Sequence, residues 1–214
     1  MKVVFDNLPA LWHGLVKTIG LTFFGFLIGS VIGSVIAIFR VSPIRPLRAF
    51  GALYVGLMIN SPLVFLMFVA FYGTPKLGLL INEFRTAAIA IGLYLGGYIA
   101  ETLRAGISTV SNGQAEAARS IGLTFGQTLR HVVIPQATRS SVGPLAVLLN
   151  ATYRNVAAAG IIGVIEFVKA GKTAGETTAR VLPFFVVQFA VFIVLGLATG
   201  FAAQRLDQRV AVKR

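Results

Sequence analysis

Five apolar runs decide most of what this chain can become. They extend from about Gly14 to Phe39, Phe50 to Gly73, Ala87 to Leu103, Val142 to about Ile165, and Leu182 to Ala203. Each is long enough, or nearly so, to cross about 30 Å of hydrocarbon at about 1.5 Å per residue. Only 12% of the 214 residues are charged and mean hydropathy is +0.83, whereas soluble domains carry about 25% charged residues. The expected fold is all-α: a polytopic membrane bundle of five transmembrane helices, one domain over residues 1–214 with a polar loop at 104–141.

The net charge of +12 punctuates the ends of apolar runs and forms no single stripe, which argues against nucleic acid and for an orientation signal. Placing the loop with Arg40, Arg45 and Arg48 inside also places inside the stretch from Arg104 to Arg139 and the tail with Arg205, Arg209, Lys213 and Arg214. The opposite side keeps Lys2, Lys17, Lys76, Arg85, Lys169, Lys172 and Arg180, several balanced by Asp6, Glu83, Glu166 and Glu176. This predicts an N-terminus outside, a C-terminus in the cytoplasm, and a loop at Glu116 that a cytosolic partner can reach. Lys2 is followed by Asp6 and Asn7 and not by an apolar core, so no cleavable signal peptide is expected. Cysteine is absent, and His13 and His131 stand alone. Thiol chemistry is therefore excluded, and no metal site is expected.

The longest polar break, Gly113 to Pro135, reads GQAEAARSIGLTFGQTLRHVVIP. Gln114 to Ile121 has helix-forming composition, small-faced through Ala115, Ala117 and Ala118, and Gly122 ends it. A second amphipathic stretch, Phe125 to Ile134, runs to Pro135. A short helix and a glycine hinge between membrane spans suit a docking element.

Those residues carry a family resemblance. Glu116-Ala117-Ala118, then Gly122, then Val132, Ile134 and Pro135 resemble the E-A-A-x-x-x-G…I-x-L-P loop of ABC-importer permeases, with Val132 in place of Ile and Ile134 in place of Leu. Gly14-Leu-Val-Lys-Thr18-Ile-Gly-Leu-Thr22, Ala100-Glu101-Thr-Leu-Arg104-Ala-Gly106-Ile107, Gly113-Gln114, Pro135-Gln136-Ala137 and Ile162-Gly163-Val164-x-Glu166 extend the similarity to polar amino-acid permeases, closest to the glutamate type. The resemblance implies five spans per subunit, pairing with a second permease, two ABC ATPase subunits, and an external solute-binding protein. It makes Gln114, Glu116, Ala117, Ala118, Arg119 and Gly122 the ATPase-coupling residues. It also implies a bacterial cytoplasmic membrane, with no cofactor in this chain and ATP and Mg on the partner subunits.

Gly171-Lys172-Thr173 invites comparison with a phosphate loop, but Glu166 occupies the place of the required glycine. Nucleotide hydrolysis is therefore expected from a partner. Gly25, Gly29 and Gly33, then Gly92/Gly96 and Gly196/Gly200, are small-residue stripes for close helix packing or for dimerisation.

A charge inside a span is costly and marks function. Arg154, in Asn150-Ala-Thr-Tyr153-Arg154-Asn155, falls near mid-membrane, and Asn60-Ser61-Pro62 lies at similar depth in a proline-broken span. Arg154 can take a substrate carboxylate through paired hydrogen bonds. It can equally pair with Glu101 or with a partner subunit, and both readings stay open. Asn60, Ser61, Asn150, Tyr153 and Asn155 complete the candidate substrate site. Relatives that this chain resembles read R-G-T-P or R-N-T-P in span two, whereas here Ile59 holds the arginine position. That implies weak substrate binding by this subunit, or a mixed pair with a non-identical permease.

The expected function is the membrane subunit of an ATP-driven importer for an acidic amino acid. The alternative cargo is glutamine, a basic amino acid or another small solute. An ATP-independent channel or carrier would need its own intramembrane carboxylate, and only Glu101 comes close. An intramembrane enzyme would need a pair of catalytic groups that the spans do not offer.

Overall fold

The computed structural model describes residues 2–210; Lys213 and Arg214, and the side chain of Arg209, lie outside the described residues. Two helices open the chain, α1 (Lys2–Asp6) and α2 (Leu8–Val41). With 34 residues, α2 is about 51 Å long, so it must tilt within a bilayer or project from it.

Its partner is α5 (Glu83–Ser108), and glycine makes that contact possible. Gly25, Gly29 and Gly33 face Ile91, Leu95 and Ile99 so closely that a Cβ on Gly29 would lie 2.8 Å from the Leu95 Cβ. Gly92 and Gly96 return the arrangement, receiving Ile28 and Ile32. Small residues on each helix thus accept branched ones from the other, and dispersion contacts replace the hydrophobic drive that lipid cannot supply. In α10 (Val181–Val210) the expected stripe is only half used: Gly196 meets Asn150, while a Cβ on Gly200 would meet nothing. A Gly33→Val substitution should therefore force α2 off α5, since its Cβ would lie 2.7 Å from that of Ile99. The expected cost is about 1–3 kcal/mol, read as a lower thermal midpoint of the protein in detergent.

The second apolar run is not one straight span. α3 (Arg45–Asn60) and α4 (Leu63–Gly73) meet at a bend of 102°. Ser61 and Pro62 are extended, and the proline has no N–H for the Met58 carbonyl. The Tyr98 hydroxyl takes up one carbonyl at the break, Ile59 O, at 3.3 Å.

Beyond α6 (Asn112–Ser120) and α7 (Phe125–Thr128), the chain stays helical through Pro135. It does so by widening Leu129–Val133 into a π turn, in which the Ile134 N–H reaches Leu129 O, and continuing as α8 (Ile134–Asn155). The fourth span therefore has a longer root than the apolar run indicates. At its other end Val156–Ile162 tightens into a 3₁₀ turn, and Gly163 (φ 104°) stops it. Among the described residues, four helical stretches are long and apolar enough to cross a membrane, or five if α3 and α4 count as one span.

A short helix absent from the five-run reading, α9 (Phe167–Thr177), caps the end opposite Arg40 and Arg104. Glu166 caps it by accepting from the N–H of Val168 (2.8 Å) and Lys169 (2.7 Å). Thr18 of α2 accepts from the Phe167 N–H, and Gln188 of α10 donates to Phe167 O, so one helix is tied to two others. Gly171-Lys172-Thr173 lies inside α9, with Gly171 against Gln188. A helix interior is not a phosphate loop.

Candidate functional site

Arg154 stands one residue from the end of α8, and its level in the bundle follows from helix register. Gly106 of α5 packs on Ser141, and Gly97 packs on Met58. Counting antiparallel from those contacts puts Arg154 level with Leu93 and Ser61 level with Tyr94. Both fall near the middle of α5 and within about one helical turn, about 5.4 Å, of each other. The expected equality of depth therefore holds between Arg154 and the α3–α4 break.

Depth is not contact. Asn150, Tyr153 and Arg154 line a groove of about 410 Å³ between α8 and α10, walled by Phe189, Phe192, Ile193 and Gly196. Asn155 is not among its lining residues. Asn60 donates to Gly56 O at 2.7 Å, and neither it nor Ser61 reaches this groove. Their neighbour Ile59 instead lines a second cavity of about 390 Å³ with Tyr98, Glu101, Ser140 and Pro144. The six candidate residues thus divide between two places at one level.

The Arg154 guanidinium is exposed and belongs to no ion pair among the described residues. Glu101, its expected structural partner, is taken: Arg40 Nη2 reaches it at 3.1 Å and Arg104 Nε at 3.0 Å. This shared carboxylate ties the end of α2 to α5. A pairing of Glu101 with Arg154 is thereby ruled out within this chain, because the Glu101 oxygens are held a long way down the bundle from Leu93.

Arg154 also belongs to a continuous face. Gly143, Val147, Asn150, Arg154 and Ala157 follow one another in alternate steps of four and three residues, which keeps them on one side of α8 up to the 3₁₀ turn. Val147 is 69% exposed. An exposed guanidinium on that face requires water or a protein partner beside it, since lipid would leave the charge unpaired.

At the basic end, α6 covers Asn112–Ser120, two residues earlier than the expected Gln114 start. Leu123 N–H bonds to Ala118 O and Gly122 N–H to Arg119 O, with Gly122 at φ 91°, the paired bonds that commonly close a helix on glycine. Gln114, Glu116, Ala117 and Arg119 face solvent, and Ile121 is 80% exposed. Ala118 differs: it is buried on its own chain and cannot lie against a partner. Thr124 and Gln127 then form a reciprocal cap that starts α7.

Sequence reasoning passed over Gln188, a polar residue within the fifth apolar run, and gave Thr18 no role beyond a motif letter. At 3% and 0% exposure, both are polar groups committed to α9. Glu166 was placed among surface charges. It is 1% exposed, and burial pushes its carboxyl up from the ordinary value against the opposing pull of the Val168 and Lys169 N–H groups.

Comparison with known proteins gives this geometry a context. Residues 25–212 match the family described as binding-protein-dependent transport system inner membrane component. The chain is 37% identical to the glutamate transport system permease protein GluC of Corynebacterium glutamicum, over 97% of this chain and 95% of that one. It is 33% identical to the L-cystine transport system permease protein TcyB of Bacillus subtilis, covering 95% and 89% respectively. Among solved structures, an amino acid ABC transporter crystallised with histidines superposes with a TM-score of 0.89 at 27% identity over 96% of each chain. The methionine ABC transporter MetNI, at 19% identity and a TM-score of 0.77 over 99% of each chain, shares the fold.

Proposed function

The chain belongs to the binding-protein-dependent transport system inner membrane components, permease subunits that are not themselves enzymes, and from that membership we propose that it carries an acidic amino acid inward across the bacterial cytoplasmic membrane. The observation that carries the reading is the exposed Arg154 at mid-bundle, which joins no ion pair among the described residues. A guanidinium there takes a carboxylate through two parallel hydrogen bonds, and Asn150 and Tyr153 add neutral ones from the same groove.

In this reading the end with Arg40, Arg45, Arg104 and Arg139 is cytoplasmic and the N-terminus is outside. Two ABC ATPase subunits, holding ATP and Mg, grip α6 through Gln114, Glu116, Ala117, Arg119 and Ile121. Nucleotide-driven closure moves α6 and passes the motion to α8 across the short turn at 121–124, since α7 and the π turn run on into α8 as one helical stretch. Two permeases rocking against each other then expose the Arg154 groove to one side and then the other. A binding protein outside delivers the amino acid. Since Ile59 stands where similar chains carry arginine, the second permease is a different chain that supplies the missing cation.

Reconstitution tests the whole reading. The complex copurified on this chain should contain a second, non-identical permease and an ATPase. In proteoliposomes it should take up glutamate only with ATP, in preference to glutamine and arginine. An active complex with two copies of this chain alone would remove the mixed pair. Uptake without a nucleotide-hydrolysing subunit would remove the importer.

A further inference from the structure

The face that carries Arg154 does not end at the groove. Ala157, its last member, lines with Ile161 a separate cavity of about 380 Å³ at the end of the bundle opposite Arg40 and Arg104. Glu166, Lys169, Lys172, Thr173 and Glu176 supply its polar side chains. The charges there are unevenly engaged. Glu166 is spent on the α9 N–H groups. Lys169 Nζ gives one hydrogen to Gly160 O at 2.7 Å, and an ammonium has three to give. Lys172 and Glu176 are 3.7 Å apart and more than half exposed, a pair that water holds only loosely. Two ammonium groups and one carboxylate are left facing the mouth. A dicarboxylic amino acid carries the complementary set: two carboxylates and one ammonium.

We propose that this cavity is a reception site that takes the dicarboxylic amino acid through Lys169, Lys172 and Glu176 before it passes along α8 to Arg154. The inference rests on the reading above, in which the α8 face is the path and this end opens outside. The lining carries two lysines and two glutamates, so its grip on a dicarboxylic solute comes from paired contacts at the mouth, which weaken as salt rises.

The test uses the complete importer in proteoliposomes with its binding protein, supplied with glutamate. Lys172→Glu should lower kcat/KM for uptake about fivefold and flatten its dependence on ionic strength. Lys172→Arg, which keeps the charge, should restore most of the rate. Affinity of the complex for the binding protein should not follow these changes. Uptake that is unaffected by Lys172→Glu, or that falls in step with binding-protein affinity, overturns the reception site. Normal uptake by Arg154→Met is a different failure and removes the path itself.

Discussion

Replacing Arg154 with methionine is expected to cut ATP-driven uptake about a hundredfold while leaving the protein as heat-stable as before. Removing one partner of a desolvated charge pair costs about 3 kcal/mol, which is that factor in rate or affinity. Stability should hold because the guanidinium is exposed and joins no ion pair among the described residues. Methionine keeps an unbranched apolar stem in a groove that Phe189 and Phe192 also line. Lysine at the same position keeps the charge but loses the flat two-pronged geometry, so its uptake should lie between the two. Initial rates against glutamate concentration, with a melting curve for each variant, decide the matter. Wild-type uptake by Arg154→Met would falsify a substrate role for this residue. A fall in melting temperature that matches the fall in uptake would assign it instead to contact with the second permease.

The coupling loop should give an effect that is also large but different in kind. Gly122→Pro and Glu116→Lys are expected to leave the chain inserted and the ATPase turning over, with uptake per ATP reduced at least about tenfold. Gly122 sits at φ 91°, where proline, fixed near −65°, cannot go. The substitution also removes the N–H that bonds to Arg119 O, so α6 loses its C-terminal closure. Glu116 is exposed, and its reversal to lysine alters the charge shown to the ATPase without disturbing the buried Ala118. ATP hydrolysis and uptake measured on the same proteoliposomes separate the two functions. Full transport by both variants would mean that α6 is not the grip.

Much of this architecture is legible in hydropathy because a long apolar run in lipid has only one way to satisfy its backbone. The glycine stripes of α2 and α5 were readable for a related reason, since glycines four residues apart leave a groove for another helix, but that each fills the other came only from the structure. Local pattern fails where tertiary contacts decide. Nothing near Glu166 announces that Thr18 and Gln188 will bury it, because those two residues arrive from α2 and α10. The Glu101 cluster joins residues 61 positions apart, so its arginine partner from α2 could not be read from the local sequence. Pro62 signalled a break in the second span, but the 102° angle depends on how α4 packs against α5 and the 3₁₀ turn. Pro135 suggested an ending, and the structure made it a passage instead. A continuous helix can absorb a missing N–H by widening one turn, and α8 had neighbours to hold it in place.

That widened turn sets the aim of everything beyond it. A π turn stores one residue more than ordinary winding, and one residue is worth roughly 100° about the axis. Were Leu129–Val133 wound like the rest, Arg154 would point about a quarter-turn away from its groove, with every local contact near the arginine otherwise unchanged. The azimuth of the cargo-facing charge is therefore dialled at the foot of the lever. An exposed side chain between the two, such as Val147, can be exchanged without turning the arginine, but a residue cannot be added or removed.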